Sequence, residues 1–160
     1  GRLELIIDSP FKVIVDFAHT PGAFEKVLPV AVGMKRSAAR NILIHVFGAT
    51  GDRDKSKRPL MAEIASKYDD YVYLTHEDTY LEDKTRIIDQ LEEGFAATGY
   101  VNYEKVIDRK DAIEKALKMA KPGDVVILTG VGHQKTMNIG GKEVPFNEKE
   151  IVRRAVNDKV

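Results

Sequence analysis

The segment 48–59 combines glycines with closely spaced charges, which suits it to holding an anion. An apolar run at 42–47 precedes it and apolar residues recur at helical spacing over 60–68, so this basic loop joins a predicted strand to a predicted helix. Free N–H groups in the first turn of a helix attract anions. Four basic side chains add positive charge there: Arg53, Lys55, Lys57 and Arg58. The alternative is a solvated loop with ordinary surface charge, because strand–glycine loop–helix units are common.

Three further polar segments come directly after predicted strands. They are 16–19, 75–80 and 130–134. In an open α/β sheet, ligands bind at the carboxyl ends of the strands. We therefore expect a small-molecule or anion site at one edge of a sheet, where these segments meet the basic loop.

Strand-like runs alternate with helix-like runs along the chain. The strand candidates are 3–7, 11–17, 42–47, 71–75, 103–107 and 125–129. This alternation predicts an α/β domain with a mostly parallel sheet and helices on both faces. Gly140 and Gly141 lie between two short strand candidates and predict a hairpin, which we expect to add an antiparallel edge.

Several helix ends are marked by capping residues. The N-cap candidates are Thr20 before Pro21, Ser56 before Pro59, either Asp108 or Asp111, and Asn147. Pro29 falls inside the first helical run, and we expect it to kink or end that helix near Leu28. Gly99 predicts the end of a later helix.

Composition limits the classes of protein that fit. The 160 residues suit one domain, and 25 Lys plus Arg balance 25 Asp plus Glu, which argues against a general nucleic-acid binder. The chain has no cysteine, which excludes disulfides and thiolate metal sites and fits a reducing cytoplasm. No apolar run has the length of a membrane span, and no cluster has metal-ligand spacing. We expect a cytoplasmic monomer without membrane contact, in which His45 and His76 are structural.

Three motifs carry a resemblance to a known family. Residues 15–21 read VDFAHTP, residues 47–59 read FGATGDRDKSKRP, and residues 130–134 read GVGHQ. In this order they resemble V-D-Y-A-H-T-P, F-G-x-x-G-D-R-D-x-x-K-R-P and G-K-G-H-E of the Mur ligases, the ATP-dependent amide ligases of peptidoglycan precursor synthesis. The resemblance covers essentially the whole chain and is nearest to the MurE branch, which adds the third residue to UDP-MurNAc-L-Ala-D-Glu. Folylpolyglutamate synthetases, of the same superfamily, fit the first motif less well.

The resemblance implies a Rossmann-like C-terminal domain, spanning 1–160, that carries the incoming amino acid. The central ATP-binding and N-terminal UDP-binding domains would be absent, as in a piece of a longer protein, and this domain alone would be inactive. The full enzyme would use ATP and Mg²⁺ to make an acyl-phosphate on a UDP-MurNAc-dipeptide, which a free amino acid attacks. Its role in cell-wall biogenesis would affect cell shape and division.

The resemblance also implies roles for individual residues. Arg2, Asp16 and His19 correspond to contacts on the ATP side. Arg53 corresponds to the residue that grips the carboxylate of the amino acid, a task that suits a guanidinium. The same pocket would include Asp78, Tyr80, Gly130, His133 and Gln134. No catalytic residue and no metal ligand is expected within this domain.

The chain departs from the family pattern at three positions. The family's substrate-selecting loop is D-N-P-R in diaminopimelate enzymes and D-N-P-A or similar in lysine enzymes, and here it is 77–80. Tyr80 replaces the arginine, Gln134 replaces a glutamate, and Val131 replaces a lysine. Losing a charge-assisted pair removes about 2 kcal/mol or more of recognition. We therefore expect lysine or another amino acid rather than meso-diaminopimelate.

Two alternatives remain open. One is a stand-alone, non-catalytic binding module that kept the fold and the anion loop. The other is a divergent Mur-like or folylpolyglutamate-type ligase domain. An upstream phosphate loop would favour a ligase, whereas an initiator Met immediately before Gly1 would favour the module.

Overall fold

The computed structural model describes residues 2–159; Gly1 and Val160, the ends of the predicted domain, lie outside the described residues. The strands are β1 Glu4–Ile7, β2 Lys12–Asp16, β3 Leu43–Phe47, β4 Tyr71–Leu74, β5 Tyr103–Lys105, β6 Val125–Thr129, β7 Thr136–Ile139 and β8 Lys142–Pro145. The helices are α1 Pro21–Gly33, α2 Lys57–Tyr68, α3 Lys84–Thr98, α4 Arg109–Met119 and α5 Glu148–Lys159.

Within residues 2–159, six strands form the main sheet in the order β1-β2-β6-β3-β4-β5. The pairs from β2 to β5 are all parallel, and β1 pairs antiparallel with β2 at one edge. The fold class expected from the alternation of strands and helices is therefore confirmed. The antiparallel edge is supplied by β1.

The predicted hairpin is present as β7 and β8, but it forms a two-stranded sheet of its own. It contacts the loop after β4, where Tyr80 and Ile139 form an isolated bridge. The carbonyl of Asn138 accepts hydrogen bonds from the backbone N–H groups of Thr79 and Tyr80. The hairpin thus lies beside the candidate site instead of extending the main sheet.

Helices cover both faces of the sheet. One apolar layer lies under α1, α2 and α3, and the other lies under α4 and α5. Strands β3 and β6 are buried along their whole length, which explains their nearly continuous apolar sequences. None of the helices among the described residues has the length and apolar character needed to span a membrane.

Most of the predicted helix ends are confirmed. Thr20 accepts from the Ala23 N–H at 3.1 Å, and Asn147 accepts from the Glu150 N–H at 3.0 Å. Asp108, rather than Asp111, caps α4. Gly99 ends α3 with a φ of +76°.

Helix α1 does not end near Leu28, one of the two outcomes expected of Pro29, and the capping role expected of Ser56 was wrong. Helix α1 continues through Pro29 to Gly33, because Pro29 lies on the exposed side of the helix while Leu28 and Ala31 remain packed in the core. Ser56 precedes α2 but makes no capping bond. Its hydroxyl instead donates to Asp54, which also accepts from the Ser56 N–H at 3.0 Å.

Candidate functional site

The four polar segments meet at one edge of the sheet. Strands β2, β6, β3 and β4 are adjacent and parallel, so the segments that follow them leave the sheet on the same side. This confirms the arrangement expected from the sequence. We call 130–134 the glycine loop and 77–82 the selector loop, and both lie at this edge with the basic loop.

Asp16 connects the backbone at Leu3 to the end of β2 through hydrogen bonds. Its side chain is buried, with Oδ2 accepting from the Leu3 N–H and Oδ1 accepting from the Ala18 N–H, both at 2.7 Å. Leu3 has a φ of +49°, an uncommon conformation that this bond holds in place. Arg2, whose side chain is exposed, is therefore positioned next to Asp16.

His19 lies on the same side of the edge with an exposed side chain. Its Nδ1 atom is 2.9 Å from the carbonyl of Phe17, and its ring packs edge-on against the Phe17 ring at 5.0 Å. A proton on Nδ1 would be donated to that carbonyl, which leaves Nε2 to accept from or bind another group. Arg2, Asp16 and His19, which the resemblance assigns to the ATP side, are called the Arg2 cluster below.

The basic loop does not present all of its positive charge to solvent. Arg58 is only 1% exposed, and its guanidinium binds both oxygens of Glu82, at 2.6 and 2.8 Å. It also donates to Gln90 and to the carbonyl of Thr50. The hydrogen bond from Arg58 lowers the pKa of Glu82 to about 2. Arg58 is therefore a cross-link between the basic loop, the selector loop and α3.

Further bonds hold the basic loop to the selector loop. The Gly51 N–H donates to the carbonyl of Asp78 at 2.7 Å, and the Asp52 N–H donates to Glu82 at 3.0 Å. A Cβ atom at Gly51 would overlap the backbone of Thr79, so this close approach requires glycine. The two loops form one connected unit that carries the exposed Arg53.

Arg53 and Tyr80 contact each other across these loops. The guanidinium carbon of Arg53 lies 5.7 Å from the centre of the Tyr80 ring, within the range of a cation–π interaction. Tyr80 has a φ of +51°, and its N–H is held by Asn138. Among the described residues Arg53 has no carboxylate partner, so its fork of donors is available to a ligand.

Acidic and amide groups lie beside this pair. Asp78 Oδ1 accepts from the Asn138 N–H at 2.8 Å, and Asp78 Oδ2 is 3.5 Å from Nε2 of Gln134. The name amino-acid pocket is used for the residues that the family resemblance assigns to the amino acid: Arg53, Asp78, Tyr80, Gly130, His133 and Gln134.

The glycine loop connects to the Arg2 cluster through a backbone hydrogen bond of Gly130. The Gly130 N–H donates to the carbonyl of Asp16 at 3.0 Å, which joins the glycine loop to the end of β2. His133 is exposed. A Cβ atom at Gly132 would lie 3.0 Å from the Phe17 ring, so the glycine loop packs against the segment that follows β2.

The sequence analysis missed a buried charged group beneath the pocket. Arg109 is fully buried, and its guanidinium binds Glu148 Oε2 at 2.8 Å and Oε1 at 3.2 Å. Both residues lie on apolar helical stripes, Arg109 with Ala112 and Ile113 and Glu148 with Val152. A charged residue on an apolar helical stripe was the sequence feature that could have revealed this buried pair.

The sequence analysis also missed the burial of Glu77, because no pattern in the residues around it indicates that the side chain is buried. The residue is 3% exposed, and neither carboxylate oxygen has a hydrogen-bond partner among the described residues. Burial raises the pKa of Glu77 to about 7, against the opposing effect of the nearby Arg109 charge. Glu77 is therefore a buried carboxyl group beside Gly130 whose charged form is disfavoured by burial.

The two histidines predicted to be structural are both buried. His45 contacts Asp69 through Nδ1 at 2.5 Å and the Thr129 hydroxyl through Nε2 at 2.7 Å. His76 contacts the carbonyl of Glu77 through Nδ1 at 2.8 Å, and burial lowers the pKa of His76 to about 4. Neither ring is presented to a ligand at the edge of the sheet.

The family profile and the sequence relatives that match this chain all belong to one family. Residues 1–132 match the family profile described as Mur ligase, glutamate ligase domain. The chain is 41% identical over 153 residues to the UDP-N-acetylmuramoyl-L-alanyl-D-glutamate–2,6-diaminopimelate ligase of Aquifex aeolicus, covering 96% of this chain and 30% of that protein. It is 42% identical over 163 residues to the UDP-N-acetylmuramyl-tripeptide synthetase of Borreliella burgdorferi, covering 98% and 30% respectively.

Solved structures agree with the sequence relatives. A UDP-N-acetylmuramoyl-L-alanyl-D-glutamate–2,6-diaminopimelate ligase superposes with a TM-score of 0.89 at 33% identity, over 99% of this chain and 32% of that one. A folylpolyglutamate synthase from Mycobacterium tuberculosis shares the fold at a TM-score of 0.59 and 20% identity, over 81% of this chain and 29% of that one. The chain thus spans about a third of the length of the curated relatives it matches.

Proposed function

The chain belongs to the Mur ligase family, and from that premise we propose that it is the amino-acid-binding C-terminal domain of an ATP-dependent ligase of peptidoglycan precursor synthesis. The observation that carries the proposal is the position of Arg53. Its guanidinium is exposed, lies over Tyr80, and has no carboxylate partner among the described residues. The ATP-binding and UDP-binding parts of the enzyme would lie outside residues 1–160.

In this proposal, Arg53 binds the α-carboxylate of the incoming amino acid through two parallel hydrogen bonds. The clamp holds the amino group close to its target and removes much of the entropic cost of the encounter. ATP supplies the phosphoryl group that activates a carboxylate of the UDP-MurNAc-dipeptide. The amine then attacks the activated carbonyl carbon, inorganic phosphate leaves, and the amine loses a proton.

The Arg2 cluster suits the ATP side of the reaction. The charge of Arg2 complements phosphate, and Nε2 of His19 is left available by the contact of Nδ1 with Phe17. Within residues 2–159, no group of three histidine, aspartate or glutamate side chains converges on a metal-sized site. We propose that the ligands of Mg²⁺ come from the parts of the enzyme outside residues 1–160.

We further propose that the amino acid lacks a distal carboxylate. A second carboxylate would meet the neutral Tyr80 together with Asp78, whose charge would repel it. A distal ammonium would instead find the oxygens of Asp78 and the amide of Gln134. Lysine fits this pattern better than meso-diaminopimelate.

The test is amino-acid incorporation by the full-length enzyme, with lysine, ornithine, alanine and meso-diaminopimelate offered separately. We expect Arg53→Ala to raise the KM for the preferred amino acid by about 100-fold, as loss of a bidentate charged contact implies. Arg153→Ala, an exposed arginine on α5, is the control and should leave that KM unchanged. Clear preference for meso-diaminopimelate would refute the proposed selectivity.

The replacements Tyr80, Val131 and Gln134 support a second candidate, a non-catalytic binding module of this fold. Calorimetry of the isolated chain with the same amino acids distinguishes the two when it is paired with the incorporation assay. Binding that is abolished by Arg53→Ala, without ADP release by the full-length protein, would favour the module.

A further inference from the structure

We propose that Arg109 is a positioning residue that fixes the selector loop and the glycine loop relative to each other, and that Glu148 holds its guanidinium in place. The inference rests on the proposed function, because these loops form the amino-acid pocket. Both residues are buried, so in this proposal neither touches the amino acid.

The hydrogen bonds of Arg109 join two strand ends that are not neighbours. Nη1 donates to the carbonyl of His76 at 3.3 Å, and Nη2 donates to the carbonyl of Thr129 at 2.9 Å. His76 directly precedes the selector loop and Thr129 directly precedes the glycine loop. Because β3 lies between β4 and β6, no ladder bond connects these two positions. One side chain therefore sets the distance between them.

Glu148 orients that side chain from a third element. As the first residue of α5, it accepts from Nε at 2.8 Å and from Nη2 at 3.2 Å. Nη2 is thus shared between Glu148 and the carbonyl of Thr129. Only a planar guanidinium can make these bonds together, because an ammonium lacks the fixed fork of donors.

Electrostatics give a second reason for a permanent cation at this place. Glu77 and Glu148 are both buried, and Arg109 is the positive charge that acts on Glu77 most strongly. Without it, the buried Glu148 carboxylate would lose its partner, and leaving one member of a buried pair alone is strongly destabilising. Glu77 also packs against Gly130, so its displacement would move the glycine loop directly.

A purely stabilising role is the competing explanation. Replacing both members of a buried ion pair by apolar residues often leaves stability unchanged or improves it. Such a replacement here would nevertheless remove the two bonds to the strand ends. Positioning and stability can therefore be separated by experiment.

The experiment uses the full-length ligase and measures the KM for the amino acid, the KM for ATP and the melting temperature. The variants are Arg109→Lys and the double variant Arg109→Met with Glu148→Leu. The destabilised control is Ile113→Ala, which shortens a fully buried side chain one turn along α4. We expect Arg109→Lys to raise the amino-acid KM at least ten-fold and to leave the ATP KM within two-fold. The double variant should recover the melting temperature without recovering the amino-acid KM.

Other outcomes are equally informative. Ile113→Ala should lower the melting temperature with the amino-acid KM unchanged. Recovery of that KM in the double variant, or an unchanged KM in Arg109→Lys, would overturn the inference while leaving the proposed function intact. Wild-type enzyme that incorporates no amino acid would overturn the proposed function and this inference with it.

Discussion

Glu77 and Gly130 pack directly against each other beyond the carboxyl ends of β4 and β6. A Cβ atom at position 130 would overlap Oε1 of Glu77, and Gly130 has a φ of +103°. Glycine is favoured here because other residues disfavour that backbone conformation, and an added Cβ would also displace the Glu77 carboxylate. The contact closes the gap between the selector loop and the glycine loop.

We expect Gly130→Ala to destabilise the domain by about 2 kcal/mol or more, because it adds steric overlap to the cost of a positive φ. Gly99→Ala is the matched control, since Gly99 has a φ of +76° with no atom near its missing Cβ. That change should cost about 1 kcal/mol. Urea unfolding of both variants measures the difference, and equal losses would show that the Glu77 contact adds nothing.

Burial of Glu77 predicts a pH-dependent cost to stability. Its pKa rises from the ordinary 4.5 to about 7 in the folded chain. Between these pH values the folded state keeps a proton that the unfolded state has released, so the contribution of Glu77 becomes less favourable as pH rises and levels off above pH 7. Glu77→Gln should therefore stabilise the domain at pH 8, by about 3 kcal/mol relative to its effect at pH 4.

Denaturant unfolding of wild type and Glu77→Gln at pH 4 and pH 8 measures this effect. His76 titrates in both proteins, so their difference removes its contribution. Glu93→Gln, an exposed change on α3, is the control and should show no such pH dependence. A Glu77→Gln effect of equal size at both pH values would contradict the prediction.

Arg58 should matter for stability far more than its basic neighbour. Arg58→Ala leaves the largely buried Glu82 carboxylate with Lys55, at 3.9 Å, as its remaining cation, and we expect it to cost about 3 kcal/mol, the lower end of the range for breaking a buried pair. Lys57→Ala, the adjacent exposed change, should alter stability by about 0.5 kcal/mol or less. Thermal and urea unfolding compare the two, and similar small effects would mean that the Arg58 network contributes little.

Tyr80 should control which amino acid is accepted. Tyr80→Arg places a cation where the related diaminopimelate motif has one, and we expect about ten-fold better use of meso-diaminopimelate relative to lysine. Leu81→Arg adds the same charge at the next position, where the native side chain is 82% exposed, and should leave the ratio unchanged. Competition between the two amino acids in the full-length enzyme measures the ratio. An equal shift in both variants would point to general charge attraction.

The sequence was sufficient to predict the sheet and the edge at which its loops gather, because strand–helix alternation fixes both. It was misleading where tertiary packing outweighs local preference, as when α1 continues through Pro29. Arg58 looked like a surface charge because its partner Glu82 is 24 positions away. Arg109 and Glu148 could have been found from their places on apolar stripes. Glu77 could not, since its burial results from the approach of Gly130 in the folded chain.

The separate β7–β8 sheet has a consequence for the shape of the selector loop. The match to the shared family profile ends at residue 132, just before this hairpin begins. Asn138 nevertheless holds Asp78, Thr79 and Tyr80 through backbone bonds. The shape of the selector loop thus depends on a hairpin that lies outside the main sheet. If the selector loop chooses the amino acid as proposed, exchanging 136–145 between relatives would alter that choice and leave the main sheet unchanged.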